Sequence, residues 1–206
     1  MYKITKAKLL ADKIYLMDVV APRVAKCCLP GQFVIVKIDE KGERIPLTIC
    51  DYDREAETVT IVVQAVGASS QRMLDLKEGD SFCDFVGPLG KPSEFIDEDI
   101  EELKKKKILF VAGGLGTAPV YPQVKWLHEH GIEADVIVGA KTKDLVILED
   151  EMKAVGNLYI TTDDGSYCNK GMVTEMIKTL VNERGNKYDV CVTIGPMIMM
   201  KFVCLL

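Results

Sequence analysis

Short apolar-rich runs broken by turn residues fill the first half of the chain, and in the second half apolar runs alternate with helical stretches. Strands are predicted at residues 4–10, 13–20, 32–39, 45–51, 58–64 and 81–86, with Pro22, Pro30-Gly31, Lys41-Gly42 and Gly87-Pro88 as punctuation. Strands at this spacing predict a small antiparallel β-barrel. From residue 108 onward, strands at 108–112, 134–139, 158–162 and 189–194 alternate with helices beginning near Thr117, Leu145, Gly171 and Pro196. That succession predicts a parallel α/β sheet covered by helices. Two domains follow, an all-β antiparallel barrel over residues 1–100 and an α/β domain over 101–206, joined through the charged, turn-rich stretch 91–106.

The most specific segment is Ile108-Leu-Phe-Val-Ala-Gly-Gly-Leu-Gly-Thr-Ala-Pro-Val120, where an apolar run enters a glycine turn and then starts a helix. Gly113, Gly114 and Gly116 remove side chains from the turn, and Leu115 and Thr117 complete it. Backbone N–H groups and the positive helix N-terminus can then reach a pyrophosphate. The spacing is not a full G-x-G-x-x-G, so a tight strand-to-helix turn without a ligand is the alternative.

In the first half, Glu43-Arg-Ile-Pro-Leu-Thr-Ile49 places a cation and a hydroxyl on one strand. The planar guanidinium of Arg44 suits phosphate oxygens, and the Thr48 hydroxyl suits a flavin ring or its ribityl chain. A surface arginine beside an ordinary strand is the alternative. Further on, Gln64-Ala-Val-Gly-Ala-Ser-Ser-Gln-Arg-Met-Leu74 leaves a strand through Gly67 and enters a helix expected to be capped by Ser69 or Ser70. Such a start offers a second anion site, or a plain N-cap.

Composition adds bounds. The chain has 206 residues, 48% of them hydrophobic, and a formal net charge of −5, which argues against nucleic acid as a partner. The one basic run, Lys104-Lys-Lys-Lys107, follows Asp97-Glu-Asp-Ile-Glu-Glu102, so both read as a solvated helix or linker. No run reaches the ~18 apolar residues of a membrane span, and the N-terminus lacks a signal-peptide apolar region. A cytoplasmic protein with no membrane partner is expected. Seven cysteines without a C-x-x-C pair fit reduced thiols. Cys50, Cys83, Cys191 and Cys204 are expected in the core, and Cys27, Cys28 and Cys168 in loops. His128 and His130 lie on a charged helix end and are expected to face solvent, without a metal.

In order, these segments resemble the ferredoxin–NADP reductase superfamily over the whole chain. Gly87-Pro-Leu-Gly90, the turn 112–119, Gly139-Ala-Lys-Thr-Lys-Asp144, Thr162-Asp-Asp-Gly-Ser-Tyr167 and Gly195-Pro-Met-Ile-Met-Met200 are similar to that family's segments, in its order. The likeness is strongest to two kinds of electron-transfer small subunit. One serves dihydroorotate dehydrogenase. The other serves sulfide dehydrogenase or the NADH-dependent ferredoxin–NADP oxidoreductase, and Arg44-Ile-Pro-Leu-Thr-Ile49 with Asp163-Asp-Gly-Ser-Tyr167 favours this second kind.

The resemblance implies an FAD-dependent NAD(P)H oxidoreductase that passes electrons to a larger flavoprotein or dehydrogenase subunit, and possibly to ferredoxin. Ile45, Pro46, Leu47 and Thr48 would line the flavin with Arg44 near phosphate. Val62, Val63 and Gln64 would flank FAD, and Gly67, Ser69 and Ser70 would form its pyrophosphate turn. Gly113 to Thr117 would receive the pyrophosphate of NAD(H) or NADP(H). Asp163, Asp164 and Gly165 would lie on the adenosine side, and Gly195, Pro196 and Met197 near the nicotinamide, with Met197, Met199 and Met200 as packing. No side chain is implied as catalytic acid, base or nucleophile.

Leu47 and Ile194 depart from the flavin-stacking tyrosine and the cysteine that many members carry. The sequence stops at Phe202-Val-Cys-Leu-Leu206, where the electron-transfer subunits continue into a cysteine-rich segment holding a [2Fe–2S] cluster. One cysteine there cannot supply four thiolates, so a cluster is expected only in a longer chain. A non-catalytic nucleotide-binding module is the alternative from another class.

Overall fold

The computed structural model describes residues 1–206 and divides into two compact units, Met1–Ile96 and Asp97–Leu206. The first unit contains β1 (Tyr2–Ala11), β2 (Ile14–Val20), α1 (Pro22–Cys27), β3 (Phe33–Lys37), β4 (Ile45–Asp53), β5 (Thr58–Gln64), α2 (Ala68–Met73), β6 (Ser81–Phe82) and β7 (Asp84–Leu89). Its seven strands run in the order β6-β1-β2-β5-β4-β3-β7. All pairings are antiparallel. The two edge strands follow each other in the chain across Cys83, whose N–H donates to the Lys37 carbonyl at 2.9 Å. One segment therefore pairs with β1 at its start and with β3 at its end, which curls the sheet into a near-barrel. The single strand expected at 81–86 is divided at this residue.

Strand alternation fills the barrel. Val34 and Val36 of β3 and Val59, Ile61 and Val63 of β5 point inward with Ile4, Met17, Ile49, Phe82 and Phe85. Branching at Cβ suits the valines and isoleucines among them to a pleated surface. Helix α1 was not expected, because Pro22 reads as a turn residue. At the start of a helix, however, the missing proline N–H removes a donor that would have no partner, and its fixed φ is already helical. Val24, Ala25 and Cys28 are buried in the same core; of the two cysteines expected in a loop, Cys27 is exposed and ends α1, whereas Cys28 lies just beyond it in extended backbone and is buried. Arg54 closes the helix C-terminus by donating to the carbonyls of Ala25 at 3.3 Å, Lys26, and Cys28 at 3.2 Å. A cation among carbonyls that the end of a helix leaves without N–H partners is favourable.

The second unit contains α3 (Ile100–Leu103), β8 (Ile108–Gly113), α4 (Thr117–Glu129), β9 (Ala134–Ala140), α5 (Glu149–Lys153), β10 (Asn157–Thr162), β11 (Asn169–Lys170), α6 (Val173–Lys178), β12 (Val190–Ile194) and α7 (Met197–Val203). The stretch expected to be helical from Leu145 begins instead at Glu149. Five parallel strands run in the order β11-β10-β9-β8-β12. Every residue of β8 is buried. The chain moves outward through β8, β9 and β10 and then returns past β8 to β12. Right-handed crossovers put α4 and α5 on one face of the sheet and α6 on the other. On the α6 face, Leu109, Val111 and Ile137 pack with Val173, Met176, Ile177, Leu180 and Val203.

Lys104, Lys105 and Lys106 pair with Glu101, Glu102 and Glu98, as a solvated charged segment should. His128 and His130 are exposed. Of the cysteines expected in the core, Cys50 is buried and Cys83 half-buried, whereas Cys191 and Cys204 are exposed. Both belong to apolar runs, β12 and the end of α7, but burial depends on what lies across from a residue and not on its neighbours in sequence. No helix is long and apolar enough to cross a membrane.

Candidate functional site

The reversal of strand order falls between β8 and β12, and a crevice outside the carboxyl ends of the strands is expected at such a switch point. Gly113 to Thr117 leave β8 here, and Gly195, Pro196 and Met197 leave β12. Gly114–Gly116 form one 3-10 turn before the 13-residue α4. Thr117 is fully buried, and its hydroxyl donates to the Gly114 carbonyl at 2.9 Å.

The glycines of the turn have different tasks. A Cβ on Gly116 would stand 2.2 Å from the Ile194 carbonyl oxygen, and one on Gly195 would stand 3.0 Å from the Gly113 nitrogen. The two turns thus pack backbone against backbone. Gly114 is unlike them: its φ is +53° and nothing lies within 4 Å of a Cβ built there. This open side of the backbone is what a pyrophosphate cradle needs, so the residues fit the dinucleotide implied by the sequence. Met199 covers Gly113, its sulfur standing 2.4 Å from where a Cβ would be. Met197, expected to pack, is 82% exposed.

Asp163, Asp164 and Gly165 follow β10 on the same carboxyl edge, beside the segment that follows β9. The Asp163 and Asp164 N–H groups donate to the Ala140 and Lys141 carbonyls at 3.0 and 3.3 Å, which prolongs the strand pairing. Asp164 Oδ1 accepts from the Ser166 hydroxyl at 2.7 Å and the Ser166 N–H at 2.9 Å. These bonds hold its carboxyl below the ordinary aspartate range. Asp163 is exposed.

In the barrel unit, alternation divides the run expected along the flavin. Ile45 and Leu47 stand opposite Val36 and Val34 and pack, half-buried, against the barrel core. Pro46 and Thr48 occupy the other face of β4. On β5, Val63 is a core residue, and Val62 and Gln64 alternate with it. Arg44 is paired at 2.7 Å with Asp84 across the exposed surface.

The helix cap differs from the expected serine. Gly67 is the N-cap of α2, and Ser70, three residues on, reaches back to accept from the Val66 and Gly67 N–H groups at 2.9 and 3.0 Å. Neither Ser69 nor Ser70 caps in the usual sense, because the third position of this turn places a hydroxyl under the entering backbone. Ser69 donates to the Glu43 carboxylate, and Arg72 pairs with Asp39, so two side chains of the β3–β4 loop are fastened to α2. Around Gly67 a Cβ would meet nothing within 4 Å, which leaves the backbone at the turn accessible.

Sequence reasoning assigned no role to Glu149, took Tyr167 only as the end of the segment 162–167, and read Lys143 with Lys141 as cations that favour NADPH against the carboxylates of Asp163 and Asp164; in the structure these three residues organise the loops beyond β9 and β10. Their partnership joins residues up to 24 positions apart, and no local pattern announces it. No group of three or more His, Cys, Asp or Glu side chains could hold a metal ion.

No protein-family model matches the chain. It is 63% identical over 207 residues to an uncharacterized protein in the adh 3′ region of Clostridium beijerinckii, covering all of this chain and 70% of that protein. It is 42% identical to the dihydroorotate dehydrogenase B (NAD(+)) electron transfer subunit homolog of Thermotoga maritima, over 98% of this chain and 69% of that one. The electron transfer subunit of dihydroorotate dehydrogenase B (NAD(+)) from Fusobacterium nucleatum is 35% identical, over 93% of this chain and 73% of its own length. Among solved structures, one from a study of the NADH-dependent reduced ferredoxin-NADP oxidoreductase and flavin-based electron bifurcation superposes with a TM-score of 0.87 at 38% identity, over 100% of this chain and 71% of that one. Phthalate dioxygenase reductase, at 18% identity and a TM-score of 0.70, shows the shared fold.

Of the two kinds of small subunit weighed from the sequence, the named relatives support the dihydroorotate kind better than the one favoured there. With a near-barrel, a parallel sheet and a glycine turn at its switch point, and with these relatives matched over about 70% of their length, the chain belongs to the ferredoxin reductase-like flavoproteins, in the family of dihydroorotate dehydrogenase B electron-transfer subunits and their homologues.

Proposed function

We propose that this chain carries electrons between NAD(H) and a partner catalytic subunit through FAD, as the electron-transfer subunit of a dihydroorotate dehydrogenase of the NAD-linked kind. The observation that carries this is the turn 113–117 at the switch point of the parallel sheet, where Gly114 presents open backbone and Gly116 permits close packing on β12. Residues 101–206 would hold the nicotinamide dinucleotide, with its pyrophosphate on 113–117, its adenosine side toward Asp163, Asp164 and Gly165, and its nicotinamide side toward Gly195, Pro196 and Met197. Residues 1–100 would hold FAD, along β4 and β5 with its pyrophosphate at Gly67, Ser69 and Ser70 and Arg44 released from Asp84 to meet phosphate. Bound FAD accepts a hydride from reduced nicotinamide and can release electrons singly, so the protein itself supplies position and electrostatics.

That two of these relatives are subunits, or homologues of subunits, of the NAD(+)-linked dihydroorotate dehydrogenase B supports NADH as the donor. A second reading, as the small subunit of a ferredoxin–NADP oxidoreductase, is supported by the structure at 38% identity and a TM-score of 0.87. Heat release of the flavin and chromatography test the cofactor: FAD is expected, and FMN as the sole flavin would overturn the assignment. Anaerobic NADH should bleach the flavin. Reconstitution with each candidate large subunit then separates the partners, since only the correct one should be reduced at the expense of NADH. A colourless protein that cannot be loaded with FAD would favour a non-catalytic module.

A further inference from the structure

The loops that follow β9 and β10 carry charges of both signs: Lys141 and Lys143 on one, Asp163 and Asp164 on the other. They are not equally free. Asp164 is engaged by Ser166, whose hydroxyl also accepts the Lys143 N–H at 2.8 Å. The Lys143 ammonium lies over the Tyr167 ring, 5.0 Å from its centroid. That ring is itself pinned from several directions. Its hydroxyl donates to Glu149 Oε1 at 2.8 Å, and Glu149 is also paired with Lys153. Its backbone N–H and carbonyl both meet the hydroxyl of fully buried Thr162, at 3.1 and 2.9 Å.

We infer that Tyr167 sets coenzyme choice by holding Lys143 on its ring face, so that this corner presents Asp163 and accepts NADH in preference to the 2′-phosphorylated coenzyme. The inference rests on the proposed binding of a nicotinamide dinucleotide along this edge. A carboxylate at the end of a strand can accept from ribose hydroxyls and repels a 2′-phosphate. A freed lysine would do the opposite. Lys143 is close enough in the chain to supply that cation, and the cation–π contact keeps it occupied. Tyr167 is thus a positioning residue that acts through Lys143. Lys141 is unaffected by the latch and contributes equally with or without it.

Titration calorimetry of the FAD-loaded chain with NAD+ and with NADP+ measures affinity without turnover. Wild type should bind NAD+ more tightly. Tyr167→Ala should raise NADP+ affinity about threefold or more, the order of an exposed cation–π contact, and leave NAD+ within about twofold. Adding Lys143→Ala to that variant should cancel the gain. Lys143→Ala alone should leave NADP+ affinity unchanged, a result that does not depend on whether Tyr167→Ala folds. A gain that survives loss of Lys143, a parallel loss for both nucleotides in Tyr167→Ala, or a fall in NADP+ affinity in Lys143→Ala would overturn the latch. Wild type that binds neither nucleotide would instead remove the underlying assignment of the edge.

Discussion

The two glycine-led turns, 67–70 in the barrel unit and 113–117 in the α/β unit, look alike in sequence but are built differently. At 67–70 the turn is held by side chains: Ser70 caps it from within and Glu43 is bonded to Ser69. Around 113–117 it is held chiefly by backbone contact with the Ile194–Gly195 segment, with the Thr117 hydroxyl bonded to the Gly114 carbonyl and Met199 lying over Gly113. The lesson is that a glycine near a phosphate-like turn can serve ligand approach or close packing, and only the surroundings decide which. Gly116 belongs to packing. Gly114 is free of it.

Substitution separates these roles. Gly116→Ala should have the largest effect, since its Cβ meets a carbonyl oxygen at 2.2 Å that only backbone movement relieves. A loss of ~3 kcal/mol in urea unfolding of the α/β transition is expected, at the upper end for overpacking. Near-normal stability would show that the two turns are not in contact in solution. Gly114→Ala should cost ~1–2 kcal/mol, because its φ of +53° is unfavourable for any L residue, while the added methyl meets no protein atom. Its nucleotide affinity should fall while the unit stays folded, and unchanged binding would mean that the open side of this turn is not used.

On the other turn, Ser70→Ala should cost ~1 kcal/mol by removing a cap. The loss should appear in the barrel transition only, and a loss in the α/β transition would break the contrast.

The smallest difference is expected in alkaline solution. Burial raises the Cys28 thiol in the barrel from its ordinary 9.0 to about 11, and burial with the bond to Asp135 raises the Tyr188 phenol in the α/β unit above its ordinary 10.0. A raised pKa contributes stability that is complete below the unfolded value and is lost as pH climbs toward the folded one. Cys28 should therefore begin to weaken the barrel above pH 9.0, and Tyr188 the α/β unit only above 10.0. Unfolding series of Cys28→Ala and Tyr188→Phe against pH check this, as each should flatten the slope of its own unit.

How much of this was legible from sequence follows the range of the interactions. The strands of both units could be read because runs such as Val34–Val36 or 108–112 carry their own signal. Helix α1 could not, since Pro22 ends one element as readily as it begins another. Nor could the division of the last barrel strand, which depends on Cys83 meeting Lys37 across the sheet. Within the site, the presence of the glycines at 113, 114 and 116 was plain. Their division of labour was not, because it is decided by Ile194 and Gly195, about eighty positions away.

The complete burial of β8 has a dynamic corollary. A central strand bonded on both sides, to β9 and β12, gives up its amide protons only when the sheet itself opens. Hydrogen exchange should find Leu109 to Ala112 among the slowest amides of the α/β unit, with the open backbone at Gly114 exchanging far sooner. The steepest gradient of local motion in this unit would then fall within two residues, which lets the turn adapt to an incoming phosphate while its root stays still.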